Sequence, residues 1–169
     1  MEGFRKLLEI FPFSRQAPVA PTLKVYAVEY AEPPALEQRL TPDATPESVV
    51  ATVRDFYQED CACLIEGHWD LWHYEDTWKL KPTCVLLWAH GPHFDSGLGD
   101  HLRIEAGLDT YFLPHPDVPG SARRVQSNLQ SLLRLARELA ERLPLERRQL
   151  WTETGESFLE KLQAALPEV

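Results

Sequence analysis

From residue 61 onward the hydrophobic pattern of this chain changes period once, across Pro114, Pro116, Pro119 and Gly120. Before that break, residues 61–113 are short runs rich in Val, Leu, Ile, Trp and Tyr, cut by Gly, Pro and Asp. After it, Val125, Leu129, Leu132, Leu133, Ala136, Leu139, Ala140 and Leu143 recur every three or four residues up to Pro144. Alternation suits a half-buried strand and a three-to-four spacing suits a helix; neither pattern serves as the other. Strands gathered in one stretch and helices in the next predict an α+β fold, not alternating βαβ units.

The strand-forming stretch divides at its turn signals. Strands are predicted at 61–66, 69–74, 77–81, 83–89, 101–106 and 109–113, separated by Gly67, Glu75-Asp76, Pro82, the Gly- and Asp-rich loop 91–100, and Gly107. Connections this short favour antiparallel neighbours, because a parallel crossover needs a dozen or more residues. A further strand is predicted over 23–30, between Pro-rich stretches 12–22 and 31–45 that read as extended connections. Thr45 is a suitable N-cap for a helix with Pro46 at its first position and Val49, Val50, Val53, Phe56 and Tyr57 as its apolar stripe, ending near Gln58. Phe4, Leu7, Leu8 and Phe11 form one face of a short N-terminal helix stopped by Pro12. The expected architecture is an antiparallel β-meander of about five to seven strands packed against a C-terminal helical hairpin, with one earlier helix and a short N-terminal one. The organisation is a single domain over 1–169: a short helix and Pro-rich arm to 22, a sheet with one helix over 23–113, and a helical hairpin over 121–166. In that hairpin Leu150, Trp151, Phe158, Leu159, Leu162 and Leu166 line the second helical region, with Gly155 interrupting it and Thr154 able to cap a restart.

At 169 residues the chain has the length of one ordinary domain and can bury a sizeable core. It carries 17 basic and 26 acidic side chains, a net −9 that disfavours broad binding to nucleic acid. No apolar run approaches the ~20 residues of a membrane span, and the N-terminal segment lacks the continuous apolar stretch of a signal peptide. Cys61, Cys63 and Cys84 are odd in number and set among apolar residues, so they are expected to be buried free thiols of a cytoplasmic protein. Charge is uneven: residues 1–120 hold 9 basic and 19 acidic groups, residues 121–169 hold 8 and 7. Arg123, Arg124, Arg134, Arg137 and Arg142 concentrate on one helix, where Glu138 and Glu141 are the expected partners.

Two constellations could carry chemistry. Within twelve residues, His90, His93, Asp95, Asp100 and His101 offer imidazole and carboxylate ligands suited to zinc or iron, and Gly91, Gly97 and Gly99 let the backbone fold them together. Their spacing matches no specific metal template. Trp69, Trp72 and Trp78, with His73 and Tyr74, form an aromatic concentration that could be core, a protein interface or a ligand-stacking surface. Ser96 lacks a nucleophile-elbow setting, the cysteines lack a basic flank, and the pairs Glu59-Asp60 and Glu75-Asp76 sit where carboxylates ordinarily face water.

The expected function is a non-catalytic interaction module, with the Trp69, Trp72, Trp78, His73 and Tyr74 patch meeting a protein partner of basic character. No catalytic residue, cofactor, nucleic acid or membrane is assigned. The alternatives are a metal-assisted hydrolase built on the 90–101 loop, and a small-ligand binder with a Trp-lined pocket.

Overall fold

Residue parity sorts the sheet of this protein into two unlike faces. A computed structural model describes residues 1–27 and 29–165. The elements in chain order are α1 (Glu2–Ile10), β1 (Thr22–Ala27), β2 (Leu36–Arg39), α2 (Pro46–Arg54), β3 (Cys61–Tyr74), β4 (Trp78–His90), β5 (Leu102–Glu105), a 3-10 turn (Asp109–Tyr111), α3 (Ser121–Arg142) and α4 (Phe158–Ala165). The five strands form an α+β fold with one antiparallel sheet in the order β2-β1-β3-β4-β5. It is not a simple meander. β2 pairs on the outer side of β1, and the α2 segment returns the chain so that β3 lies on the inner side.

Two compact units share the long strands. The first comprises Met1–Asp70 and Pro82–Ala106, the second Leu71–Lys81 and Gly107–Val169. In the first unit, one sheet face carries Leu23, Val25, Cys61, Cys63, Ile65, Trp69, Val85 and Leu87, all buried. Helices α1 and α2 cover it. The stripe Phe4, Leu7, Leu8 and Phe11 is buried as its spacing predicts, and Phe11 meets Trp69 edge-on at 5.7 Å. Thr45 caps α2 through a reciprocal pair of hydrogen bonds with Ser48, with Pro46 at the first turn. The opposite face buries Ala62, Leu64, Trp88 and Phe94, flanked by Tyr26 and Leu86.

Several expected boundaries move, each for a local reason. Gly67 is not a turn: β3 runs unbroken from Cys61 to Tyr74, and the Phe13 ring lies 2.7 Å from where a Cβ on Gly67 would stand. The glycine makes room for that ring. Pro82 likewise sits inside β4, on a stretch that β5 does not reach, since β5 pairs only Leu86–Ala89. An outer edge tolerates the missing N–H. The 31–45 connection contains β2, and β1 ends at Ala27; Val28 of the expected strand lies outside the described residues, and Tyr30 stands in a turn. Helix α2 ends at Arg54, leaving Phe56 exposed. Residues 109–113 form no strand. The Asp109 carboxylate accepts from the Glu153 N–H and the Lys161 ammonium, and its own N–H donates to the Glu153 carboxylate. Asp109 is thus held by the 153–161 stretch and not by a neighbouring strand.

In the second unit, α3 spans the expected residues, but its buried line is Ser121, Val125, Asn128 and Leu135; Leu129, Leu132, Ala136 and Leu139 are half-buried and Leu133 is exposed. Asn128 holds the helix to β3. Its carboxamide oxygen accepts from the Trp72 N–H at 2.8 Å, and its nitrogen donates to the carbonyls of Trp72 at 3.0 Å and Tyr111 at 2.8 Å. The final helix is shorter than expected. Residues 150–157 form a turn closed by a Trp151–Ser157 bridge with Gly155 at φ +78°, Thr154 bonds Thr152 and Glu156 instead of capping, and α4 begins at Phe158. Leu166 lies outside the described residues.

None of the three cysteines forms a disulfide; Cys61 and Cys63 are buried and, against expectation, Cys84 is exposed. Burial pushes the Cys63 thiol up to about 12. A thiol reagent should therefore label one site, Cys84, quickly in native protein and all three after denaturation; fast native labelling of Cys61 or Cys63 would contradict the packing of that face. Replacing Asn128 with Leu should cost on the order of 3 kcal/mol in urea unfolding, because Trp72 and Tyr111 backbone groups lose their partner. Leu133→Ala on the same helix should change stability by less than about 0.5 kcal/mol.

Candidate interaction site

One end of the first unit is built by three loops. There β1 ends at Ala27, opposite Cys61 at the start of β3. The Gly91 N–H donates to the Cys61 carbonyl and the His93 N–H to the Glu59 carbonyl, both at 2.8–2.9 Å, which lays the 91–101 loop against the 55–60 turn. This approach requires glycine, since a Cβ on Gly91 would collide with the Glu59 and Cys61 carbonyls. The turn after β1 joins them through Tyr30, whose ring packs edge-on against Phe94 at 4.8 Å and Trp88 at 5.0 Å.

His90 stands at the centre with its side chain fully buried. Its ring stacks between Trp88 and Phe94. The carbonyl of Asp100, 2.9 Å from Nδ1, can only accept, so Nδ1 carries the proton and Nε2 receives the Tyr30 hydroxyl at 2.9 Å. Burial holds the imidazole below its ordinary pKa despite that carbonyl and the Asp100 carboxylate, so the ring is neutral near pH 7. Asp100 is clasped in turn. Arg103 donates to both its carboxylate oxygens at 2.9 and 2.7 Å, and Ser96 donates to one of them at 2.7 Å. Burial works to raise the Asp100 carboxyl, but these donors outweigh it and hold it below the usual range.

The five residues considered as metal ligands are therefore near in sequence and apart in chemistry. His90 is spent on Tyr30 and Asp100, and His93 is exposed beside the Glu59 carboxylate at 3.2 Å. Asp95 accepts from the Gly97 N–H in a local turn, Asp100 serves Arg103 and Ser96, and the exposed His101 contributes its carbonyl to the His90 N–H. Among the described residues no three His, Cys, Asp or Glu side chains stand together as a metal site.

The tryptophan-centred patch is largely occupied as well. In the first unit Trp69 is buried against Phe11. In the second, Trp72 lies under the Arg124 guanidinium at 3.8 Å, Trp78 donates its indole N–H to the Pro119 carbonyl at 2.7 Å, and His73 packs on Tyr111 at 4.2 Å. Tyr74 alone of the five is exposed, against Trp78.

What composition did not single out is the surface around Tyr30. Glu29, Glu32, Asp55, Glu59, Asp60 and Asp95 are exposed on the three converging loops, and none of them pairs with Lys or Arg among the described residues. Tyr30 at 39%, Phe56 at 40% and Leu98 at 67% exposure stand among them. The acidic-aromatic run Glu29–Glu32 was the available signal.

His90 makes the stability of this unit depend on pH with a definite sign. Its folded pKa lies below the ordinary 6.5, so the unfolded chain takes up the proton first on acidification. The stabilisation is complete above pH ~6.5 and declines as pH falls toward the lowered folded value. Urea midpoints of the wild type should thus drop between pH 7.5 and 5.5, with a shallower slope in His90→Gln; equal slopes would contradict a buried neutral imidazole.

Comparison with family models, curated proteins and solved structures gives no match.

Proposed function

We propose that this protein is a non-catalytic interaction module that binds a basic protein segment at the loop end of its first unit. One observation carries the reading: three loops bring six exposed carboxylates, none of them paired with Lys or Arg among the described residues, around the rim of an aromatic cluster. The first unit holds 7 basic and 15 acidic side chains, a net −8, against 10 and 11, a net −1, in the second. Such a field draws cationic partners in and rejects anionic ones.

Exposed ion pairs are each worth only about 0–1 kcal/mol, so charge sets choice and approach while apolar contact holds the complex. Tyr30, Phe56 and Leu98 supply that contact, and a half-exposed tyrosine seated on a rigid cluster suits an anchoring role. The groups that a hydrolase would use are committed to structure. Both nitrogens of His90 are bonded, and Ser96 donates to Asp100.

The test is fluorescence anisotropy with labelled decapeptides, one rich in Lys and Arg and one rich in Glu and Asp, each containing Leu and Tyr. The basic peptide should bind and the acidic one should not. Affinity should fall about tenfold or more between 20 and 300 mM salt, and similarly in the quadruple variant Glu29→Gln, Glu32→Gln, Glu59→Gln, Asp60→Asn. Equal binding of the two peptides, or no effect of the variant, overturns the proposal.

A further inference from the structure

A basic surface lies on helix α3 of the chain itself. Arg123, Arg134 and Arg137 are exposed on one face of α3, since steps of eleven and fourteen residues return to nearly the same side of a helix. None of the three forms an ion pair among the described residues; neither Glu138 nor Glu141, the partners expected from sequence, meets them. Beside the arginines lies Leu133, an apolar residue of α3 that is 47% exposed. From Arg123 to Arg137 the face is about 21 Å long at 1.5 Å per residue.

We infer that the α3 face of one molecule docks on the acidic loop end of a second copy of this chain. The inference rests on the function proposed above and names the basic segment that the loop end meets. Each surface has what the other lacks. The helix offers three guanidinium groups and an apolar shoulder; the loop end offers six exposed carboxylates without a Lys or Arg partner, with Tyr30, Phe56 and Leu98 among them. Guanidinium forks match carboxylates in shape as well as charge. A nucleic acid or an anionic membrane would meet a chain of net −9, whereas the helix of a second copy presents cations to the most acidic part of the molecule.

The two surfaces are different patches, so the association is heterologous: each molecule has one donor face and one acceptor face, and growth continues unless a ring closes. One helix face against a loop end is a contact at the small end of the range, so self-association is weak and reversible. It is also sensitive to salt, because the charged groups on both sides are exposed.

Sedimentation velocity on the full chain tests this. In 20 mM salt the wild type should show a rising sedimentation coefficient as protein is raised to about 200 μM, and the rise should vanish at 500 mM salt. The helix variant Arg123→Gln, Arg134→Gln, Arg137→Gln should remain monomeric, and so should the quadruple loop-end variant. Circular dichroism confirms that both are folded, as expected for exposed substitutions. Mixed together, the two monomeric variants should form a one-to-one complex and stop there, because each retains only one half of the contact. A wild type that stays monomeric at low salt, whether or not its arginine face takes up anionic vesicles, overturns the inference; so does self-association that survives in either variant. Retained binding of the basic peptide by a monomeric wild type would sink this inference alone, while loss of both would sink the function as well.

Discussion

A fourteen-residue strand cannot leave its edge bare, and much of this structure follows from how the edge of β3 is covered. β1 pairs with it only from Cys61 to Glu66. Beyond that point, unpaired backbone groups would be buried at a cost or would invite another strand. The chain supplies local substitutes. Ser14 donates its N–H to the His68 carbonyl and its hydroxyl to the Asp70 carboxylate. Further along, the Asn128 carboxamide meets the N–H and carbonyl of Trp72 as a neighbouring strand would. One primary amide thus stands in for a peptide unit, and its spare donor ties in Tyr111. The Pro-rich arm and the long helix α3 are each anchored by this need of the same strand, within their respective units.

The loop end shows the same economy in polar groups. Gly91 lets two backbones approach until their hydrogen bonds close, and Tyr30 and Phe94 seal His90 from water. Once sealed, the imidazole is neutral and its two nitrogens define a direction, from the Tyr30 hydroxyl to the Asp100 carbonyl. Asp100 is then oriented by Arg103. The polar groups of His90, Asp100, Ser96 and Arg103 are bonded to one another or to Tyr30, whereas the carboxylates on the rim have no Lys or Arg partner among the described residues.

Much of the fold was legible. The Phe4, Leu7, Leu8, Phe11 stripe, the Thr45-Pro46 helix start and the span of α3 rest on short-range rules of spacing and capping, and each stands in the structure. Errors arose where a residue that usually marks a turn has another use. Gly67 makes space for Phe13, and Pro82 lies on an outer edge. The candidate site was less legible. Its acidic character was visible in composition, but the tryptophans drew notice because of their rarity, and four of the five patch residues are engaged by Phe11, Arg124, Pro119 and Tyr111.

Sequence by itself determined the fold class, the helix starts and the charge imbalance, because these depend on residue type and on neighbours a few positions away. Tertiary structure alone decided which polar groups remain free. His90 meets Tyr30 across sixty positions, and Asn128 meets Trp72 across fifty-six. The same packing set His90 against Tyr30 and Asp100 and His93 against Glu59, and left the carboxylates around them without Lys or Arg partners among the described residues. A side chain's chemistry is set by the partners that folding brings to it, and for this chain those partners come from distant segments.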